Sequence, residues 1–292
     1  AIHWQEFRLA RGMAAALRRM GYSTRLDFIP EWHAETTIPD DVVIALGGHE
    51  RYTPDHSVIN LLWMINHPAG PEPDTYDDYD QIFVASEQYA EQLGEHIQTP
   101  VMPLLLCTDP ELFSFREPRI RSDNVVFVGN PGRISHPILD TAIATGLKPM
   151  VIGKDWDGLI DESLIAGEYI ELDSLPEFYA SSGVVLCNHD QGDAKYGFIP
   201  GQLFDAIACG AVPVCHSMTG IKEIFDDLVY QCSTDPDEIS LQIQKALNED
   251  KSLRSRRREL AKKIGRDHSF ETRAGVMDTI ISNIIQSRIS RE

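Results

Sequence analysis

The sequence predicts an α/β protein built of two Rossmann-like, doubly wound domains. Three observations carry this. Short apolar runs rich in Val, Ile and aromatic residues alternate with helix-period segments. The alternation occurs twice, over 1–110 and over 123–269, with a Pro- and charge-rich bridge from Thr108 to Asp123 between them. A glycine-bounded helix followed by a buried strand, Pro200 to Val214, sits inside the second run.

The first run opens on an amphipathic helix over 3–20, where Phe7, Ala10, Met13, Ala14, Leu17 and Met20 share a face and Gly21 stops it. Apolar runs at Thr24–Ile29, Val42–Leu46, Val58–Ile65 and Gln81–Ala85 read as strands of a parallel sheet, with a helix over Glu87–Ile97. The strand and glycine-rich loop that usually precede such a first helix are not in this sequence, so the chain reads as a fragment or a piece of a longer polypeptide.

The second run holds strand Val125–Gly129, helix Pro137–Thr145, strand Met150–Ile152, helix Leu175–Ser181 and strand Val184–Cys187. After the Pro200–Val214 unit come helices Ser240–Asn248 and Ser252–Ile264. A last helix, Phe270–Ser287, has Phe270, Met277, Ile280, Ile281 and Ile284 on one side. The expected domains are 1–110, with 270–292 packing back on it, and 123–269.

Bulk properties narrow the function classes. Of 292 residues, 45 are acidic and 26 basic, giving a net charge of −19 that repels phosphate backbones and argues against a nucleic-acid partner. No apolar run approaches the ~20 residues of a membrane span. Cys107, Cys187, Cys209, Cys215 and Cys232 form no CxxC pair and have no His at zinc spacing, so buried thiols in a reducing cytoplasm are expected. No His/Asp/Glu cluster has convincing metal spacing, and no metal is expected.

The stretch Tyr196-Gly-Phe-Ile-Pro-Gly-Gln-Leu-Phe-Asp-Ala-Ile-Ala-Cys-Gly-Ala-Val-Pro-Val214 is the most informative. Pro200 and Gly201 suit a first helical turn, and Leu203, Phe204, Ile207 and Ala208 fall at helical spacing. A helix N-terminus offers N–H groups and a partial positive charge to a nucleoside diphosphate, and Asp205, a turn inside, can accept from ribose hydroxyls. A helix–strand unit of any doubly wound protein is the plainer alternative.

This run resembles the donor-site signature of GT-B glycosyltransferases of the group 1 type. It is most similar to the spore-maturation (CgeB-like) branch, which carries Phe-Asp/Glu-Ala-Leu-Ala-Cys-Gly-Ala. Asp267-His268-Ser269-Phe270-Glu271-Thr272-Arg273-Ala274 also resembles that branch's closing His-x-[Tyr/Phe]-x-x-Arg-Ala. The resemblance implies two Rossmann-like domains facing across a cleft and a nucleotide-sugar donor with no metal or other cofactor. It further implies an unidentified hydroxyl acceptor (a glycan, or a lipid- or protein-linked one) and glycan biosynthesis in a bacterial cytoplasm, including the inner membrane face. Asp205 takes the place of the ribose-binding acid. Gly197 stands where the two-acid pattern has its first carboxylate.

On that resemblance the donor site draws on Gly129, Asn130 and Arg133 after strand 125–129, with Arg133 neutralising the leaving diphosphate. It also draws on His189, Lys195, Tyr196, Gly197, Phe198, Ile199, Pro200, Gly201 and Asp205. Lys154 is a second candidate for the phosphate, and 169–175 for the nucleobase. His67, after the buried strand 58–65, is a candidate general base for the acceptor hydroxyl, or a histidine that only caps its loop. Glu6 is a second candidate. A nucleotide-sugar 2-epimerase and a non-catalytic module of the same build remain alternatives.

Overall fold

The computed structural model describes residues 4–28, 31, 40–47, 52–68, 76–117, 122–132, 136–187 and 191–290. The chain divides into two compact units. The first holds Ala1–Cys107, Tyr196–Phe198 and His268–Glu292; the second holds Thr108–Lys195 and Ile199–Asp267.

In the first unit, α1 (Trp4–Arg19) is followed by β1 (Val42–Gly47), β2 (Ile59–Met64), β3 (Gln81–Val84), α2 (Glu87–Gly94) and β4 (Val101–Pro103). The strands form one parallel sheet in the order β1-β2-β3-β4. β2 and β3 are buried throughout and, apart from Asn60 and Gln81, are apolar. The expected strand at 24–29 is not seen over 24–28, which are irregular; Ile29 lies outside the described residues. Arg25 there is tied to Asp27 and Asp40, so charge pairing rather than a ladder organises that segment.

The second unit runs β5 (Val125–Val128), α3 (Pro137–Ala144), β6 (Met150–Ile152), β7 (Ile165–Gly167), α4 (Leu175–Ser181), β8 (Val184–Cys187), α5 (Gln191–Lys195), α6 (Gly201–Ala208), β9 (Pro213–His216), α7 (Ile221–Phe225), β10 (Tyr230–Cys232), α8 (Pro236–Leu247) and α9 (Arg254–Asp267). Its six parallel strands are ordered β10-β9-β8-β5-β6-β7. The order therefore reverses between β5 and β8, the point of a doubly wound sheet where ligands bind, outside the carboxyl ends of the strands. Phe127, Ile138, Leu139, Val184, Leu186 and Val214 are among the residues that fill the core around these strands. Helix α8 starts four residues earlier than expected, because Asp235 caps it by accepting from the Asp237 and Glu238 amides, with Pro236 in the first turn.

α10 (Phe270–Ile289) belongs to the first unit and packs on α1. Ser269 and Thr272 close a reciprocal capping box at its start. The buried Arg273 guanidinium donates to the Leu105 carbonyl (2.6 Å), the Leu106 carbonyl (3.1 Å) and His268 Nδ1 (2.8 Å), pinning that start to the segment after β4. No helix among the described residues is long and apolar enough to cross a membrane.

Candidate donor and acceptor sites

α6 is the best-defined part of the candidate donor site. Every residue in it except Gln202 is buried. Full burial of a side chain such as Leu203 or Phe204 contributes about 1.5–3 kcal/mol, so the helix is held by packing despite its length. Pro200 is its N-cap, extended at ψ 139°, and no side chain caps it. At the other end the Gly210 amide donates to the Ile207 carbonyl and the Ala211 amide to the Ala206 carbonyl, a Schellman turn. Gly210 has φ +80°, and a Cβ there would meet the Phe115 ring at 2.7 Å, so two separate demands exclude a side chain.

Gln202, which the sequence reading did not single out, joins this helix to the switch point. Its Nε2 donates to the Val128 carbonyl at the end of β5 (3.0 Å) and to the Tyr179 hydroxyl (3.1 Å). Asp205 lies one turn further on and is 2% exposed. Its carboxylate accepts from the Thr108 hydroxyl at 2.7 Å. Burial, and then the Asp205 charge, push the Cys187 thiol at the end of β8 up to about 12.

The loop after β5 is tightly built. The Trp156 indole donates to the Gly129 carbonyl (2.8 Å), and the Lys154 amide donates to Asn130 Oδ1 (2.8 Å). Gly153 packs so closely that a Cβ would lie 2.0 Å from the Gly129 carbonyl oxygen. Gly132 has φ +55°, and the His136 Nε2 bonds the Pro131 carbonyl at 2.8 Å. Gly129 and Asn130 are thus brought to the carboxyl end of β5, beside the Gln202 anchor of α6. Arg133 and His189 lie outside the described residues. Lys195 is exposed at the end of α5, and Lys154 is exposed as well.

Tyr196, Gly197 and Phe198 are placed differently from the other residues expected at the donor. They group with the first unit, whereas Ile199, Pro200 and Gly201 stay with the second. Tyr196 stacks on His67 with ring centroids 3.9 Å apart and planes 5° from parallel. His67 also meets the edge of Tyr89 at 4.8 Å. Gly197 has φ +73°, and a Cβ on it would stand 3.2 Å from Ser86 Oγ. That explains why glycine, and not a carboxylate, occupies the position. Glu6 is half-buried in the first turn of α1. Among the described residues, no group of three or more His, Cys, Asp or Glu could hold a metal ion.

Residues 133–279 match the sequence profile of a family described as "Glycosyl transferase-like". That is half of the chain and takes in β6 to β10 of the six-stranded sheet. The chain belongs to the glycosyl transferase-like family. No curated protein sequence matches it. Solved structures share the fold of this glycosyl transferase-like chain. The α,α-trehalose 6-phosphate synthase of Burkholderia multivorans is 11% identical with a TM-score of 0.61, over 99% of this chain and 79% of its own. AviGT4, a glycosyltransferase involved in avilamycin A biosynthesis, is 16% identical with a TM-score of 0.60, over 96% and 89%. The pneumococcal O-GlcNAc transferase GtfA, in complex with UDP and GlcNAc, is 12% identical with a TM-score of 0.54, over 79% of this chain. This chain spans 53% of that protein's length. At these identities the likeness shows the fold, which is that of the GT-B glycosyltransferases.

Four residues at these sites escaped sequence reading. Ser86, before a helix-period segment, had a legible N-cap signal. Tyr89, Thr108 and Gln202 act through contacts with residues far away in the chain, for which one sequence gives no signal.

Proposed function

We propose that the chain transfers a sugar from a nucleoside diphosphate donor to a hydroxyl acceptor. The observation that carries this is the family match, which takes in β6 to β10 of the sheet whose order reverses between β5 and β8, together with α6, anchored to the end of β5 through Gln202. In this reading the α6 N-terminus and the Gly129–Asn130 loop face the diphosphate, joined by Arg133 and Lys195. Asp205 serves the ribose, or sets the α6 turn that does so through Thr108. UDP, present in the GtfA structure, is the first nucleotide to try.

The acceptor oxygen attacks the anomeric carbon while the bond from that carbon to the diphosphate oxygen breaks. The bonding pair leaves with the nucleoside diphosphate. His67 takes the proton of the acceptor hydroxyl at a ring nitrogen, with Glu6 as the alternative base. Developing charge on the leaving group is met by cations and helix N–H groups, so turnover is expected to be insensitive to EDTA.

The runs Phe204–Gly210 and His268–Ala274 support placing the chain in the spore-maturation (CgeB-like) branch, and with it a cytoplasmic place of work. The test is release of free nucleoside diphosphate from a panel of UDP-, GDP-, CDP- and dTDP-sugars, with and without EDTA. Release from one donor, lost in Asp205→Ala, supports the proposal. No release and no binding with any of them overturns it.

A further inference from the structure

We infer that Ser86 and Tyr196 are positioning residues that hold the His67 imidazole in one orientation toward the acceptor hydroxyl. The inference rests on the reading of His67 as the group that meets the acceptor.

His67 follows β2 at its carboxyl end and is half-buried among three aromatic rings. Tyr196 lies flat against it at 3.9 Å, Tyr89 meets it edge-on at 4.8 Å and 66°, and Phe198 stands at 6.2 Å and 82°. Stacked and edge-to-face pairs are the favoured geometries of aromatic rings, so the plane and tilt of the imidazole are both set. A phenol face over the ring also stabilises the imidazolium formed as His67 accepts a proton.

One hydroxyl joins the backbones of the two tyrosines nearest His67. Ser86 is wholly buried. Its Oγ donates to the Tyr196 carbonyl at 2.5 Å and accepts from the Tyr89 amide at 3.0 Å. A serine hydroxyl has one proton to give and lone pairs to accept, and here both kinds are in use. Gly197 lets the chain turn immediately after the Tyr196 carbonyl, with no Cβ to crowd the Ser86 oxygen. Ser86 touches no reacting atom and acts through His67 alone.

The experiment compares Ser86→Ala, Ser86→Thr, Tyr196→Leu and Tyr196→Phe. The His67 Cε1–H resonance, assigned by its loss in His67→Gln, reports ring-current shielding from Tyr196. Turnover is followed with the nucleotide sugar that wild type uses, water serving as acceptor if no other is known. Tyr196→Leu and Ser86→Ala are expected to move the resonance and lower kcat about tenfold to a hundredfold with the donor KM unchanged. Tyr196→Phe and Ser86→Thr should restore both. If Ser86→Ala fails to fold for want of its helix cap, Tyr196→Leu decides. A resonance unmoved in folded Tyr196→Leu, or one that moves with kcat unchanged, overturns the inference. Absence of turnover in wild type instead counts against the transferase reading, and the resonance still reports whether Ser86 and Tyr196 hold the ring.

Discussion

The Thr108 hydroxyl donates to the Asp205 carboxylate over 2.7 Å, joining residues 97 positions apart that are both buried. Thr108 is the first residue of the second unit and Asp205 sits in the helix proposed to face the donor. The expected ribose acid is therefore also part of the packing of its own unit.

Removing one partner of a buried hydrogen bond costs about 1–3 kcal/mol, because the remaining group has given up water and then loses a partner. Thr108→Val should lose that much stability in urea denaturation at neutral pH, and Thr108→Ser should lose far less. A loss in Thr108→Ser with none in Thr108→Val would show that packing of the threonine methyl, not the hydroxyl, is what matters.

Gly12 tests how closely α1 and α10 approach. In a helix interior, Gly→Ala ordinarily stabilises by about 1 kcal/mol. Here a Cβ would lie 2.3 Å from the Phe270 ring, and overpacking of this kind costs about 1–3 kcal/mol. Gly12→Ala should therefore destabilise, and adding Phe270→Leu should recover part of the loss. A stabilised single variant would contradict the close contact.

At Gly197 the backbone itself decides. An L-residue in the left-handed region costs about 1–2 kcal/mol, and φ there is +73°. Gly197→Ala should lower the melting temperature, and Gly197→Glu should not behave as a restored family acid. Unchanged melting in Gly197→Ala would argue against the positive φ.

Stability should fall at alkaline pH. Burial pushes both the Cys187 thiol and the Tyr89 phenol up to about 12, from 9.0 and 10.0. The folded state keeps these protons where the unfolded chain gives them up. Their contribution is whole below the unfolded values and is lost as pH rises toward 12. The melting temperature should hold at pH 7–8 and drop progressively above pH 9, by scanning calorimetry in matched salt. A flat profile to pH 11 would contradict burial of these groups.

The sequence carried the fold where local chemistry is strong. Strands β5 and β8 are continuous apolar runs, β2 and β3 are broken only by Asn60 and Gln81, and Gly210 reads as a helix stop, where its φ suits glycine. β4, β7 and β10 have three residues each, as β6 does, but Pro103, Gly167 and Gln231 break the short apolar run that made β6 legible. The stretch 24–28 has a strand's composition, yet a strand also needs a partner, which no local pattern reports. At the sites, the glycine turns and Asp205 were legible as residue types. Their partners Thr108 and Ser86 were not, since their roles are set by contacts across 97 and 110 residues.

Nucleoside diphosphate binding tests the central claim most directly. Wild type and Asp205→Ala should be compared by thermal shift against UDP, GDP, CDP and dTDP. A ligand at a hundred times its Kd stabilises a protein by about 2.7 kcal/mol, a readily measured rise in Tm. One of the four is expected to raise the Tm of wild type and to leave Asp205→Ala unmoved. A wild-type Tm unmoved by all four would contradict the claim that the switch point of this sheet holds a nucleotide-sugar donor.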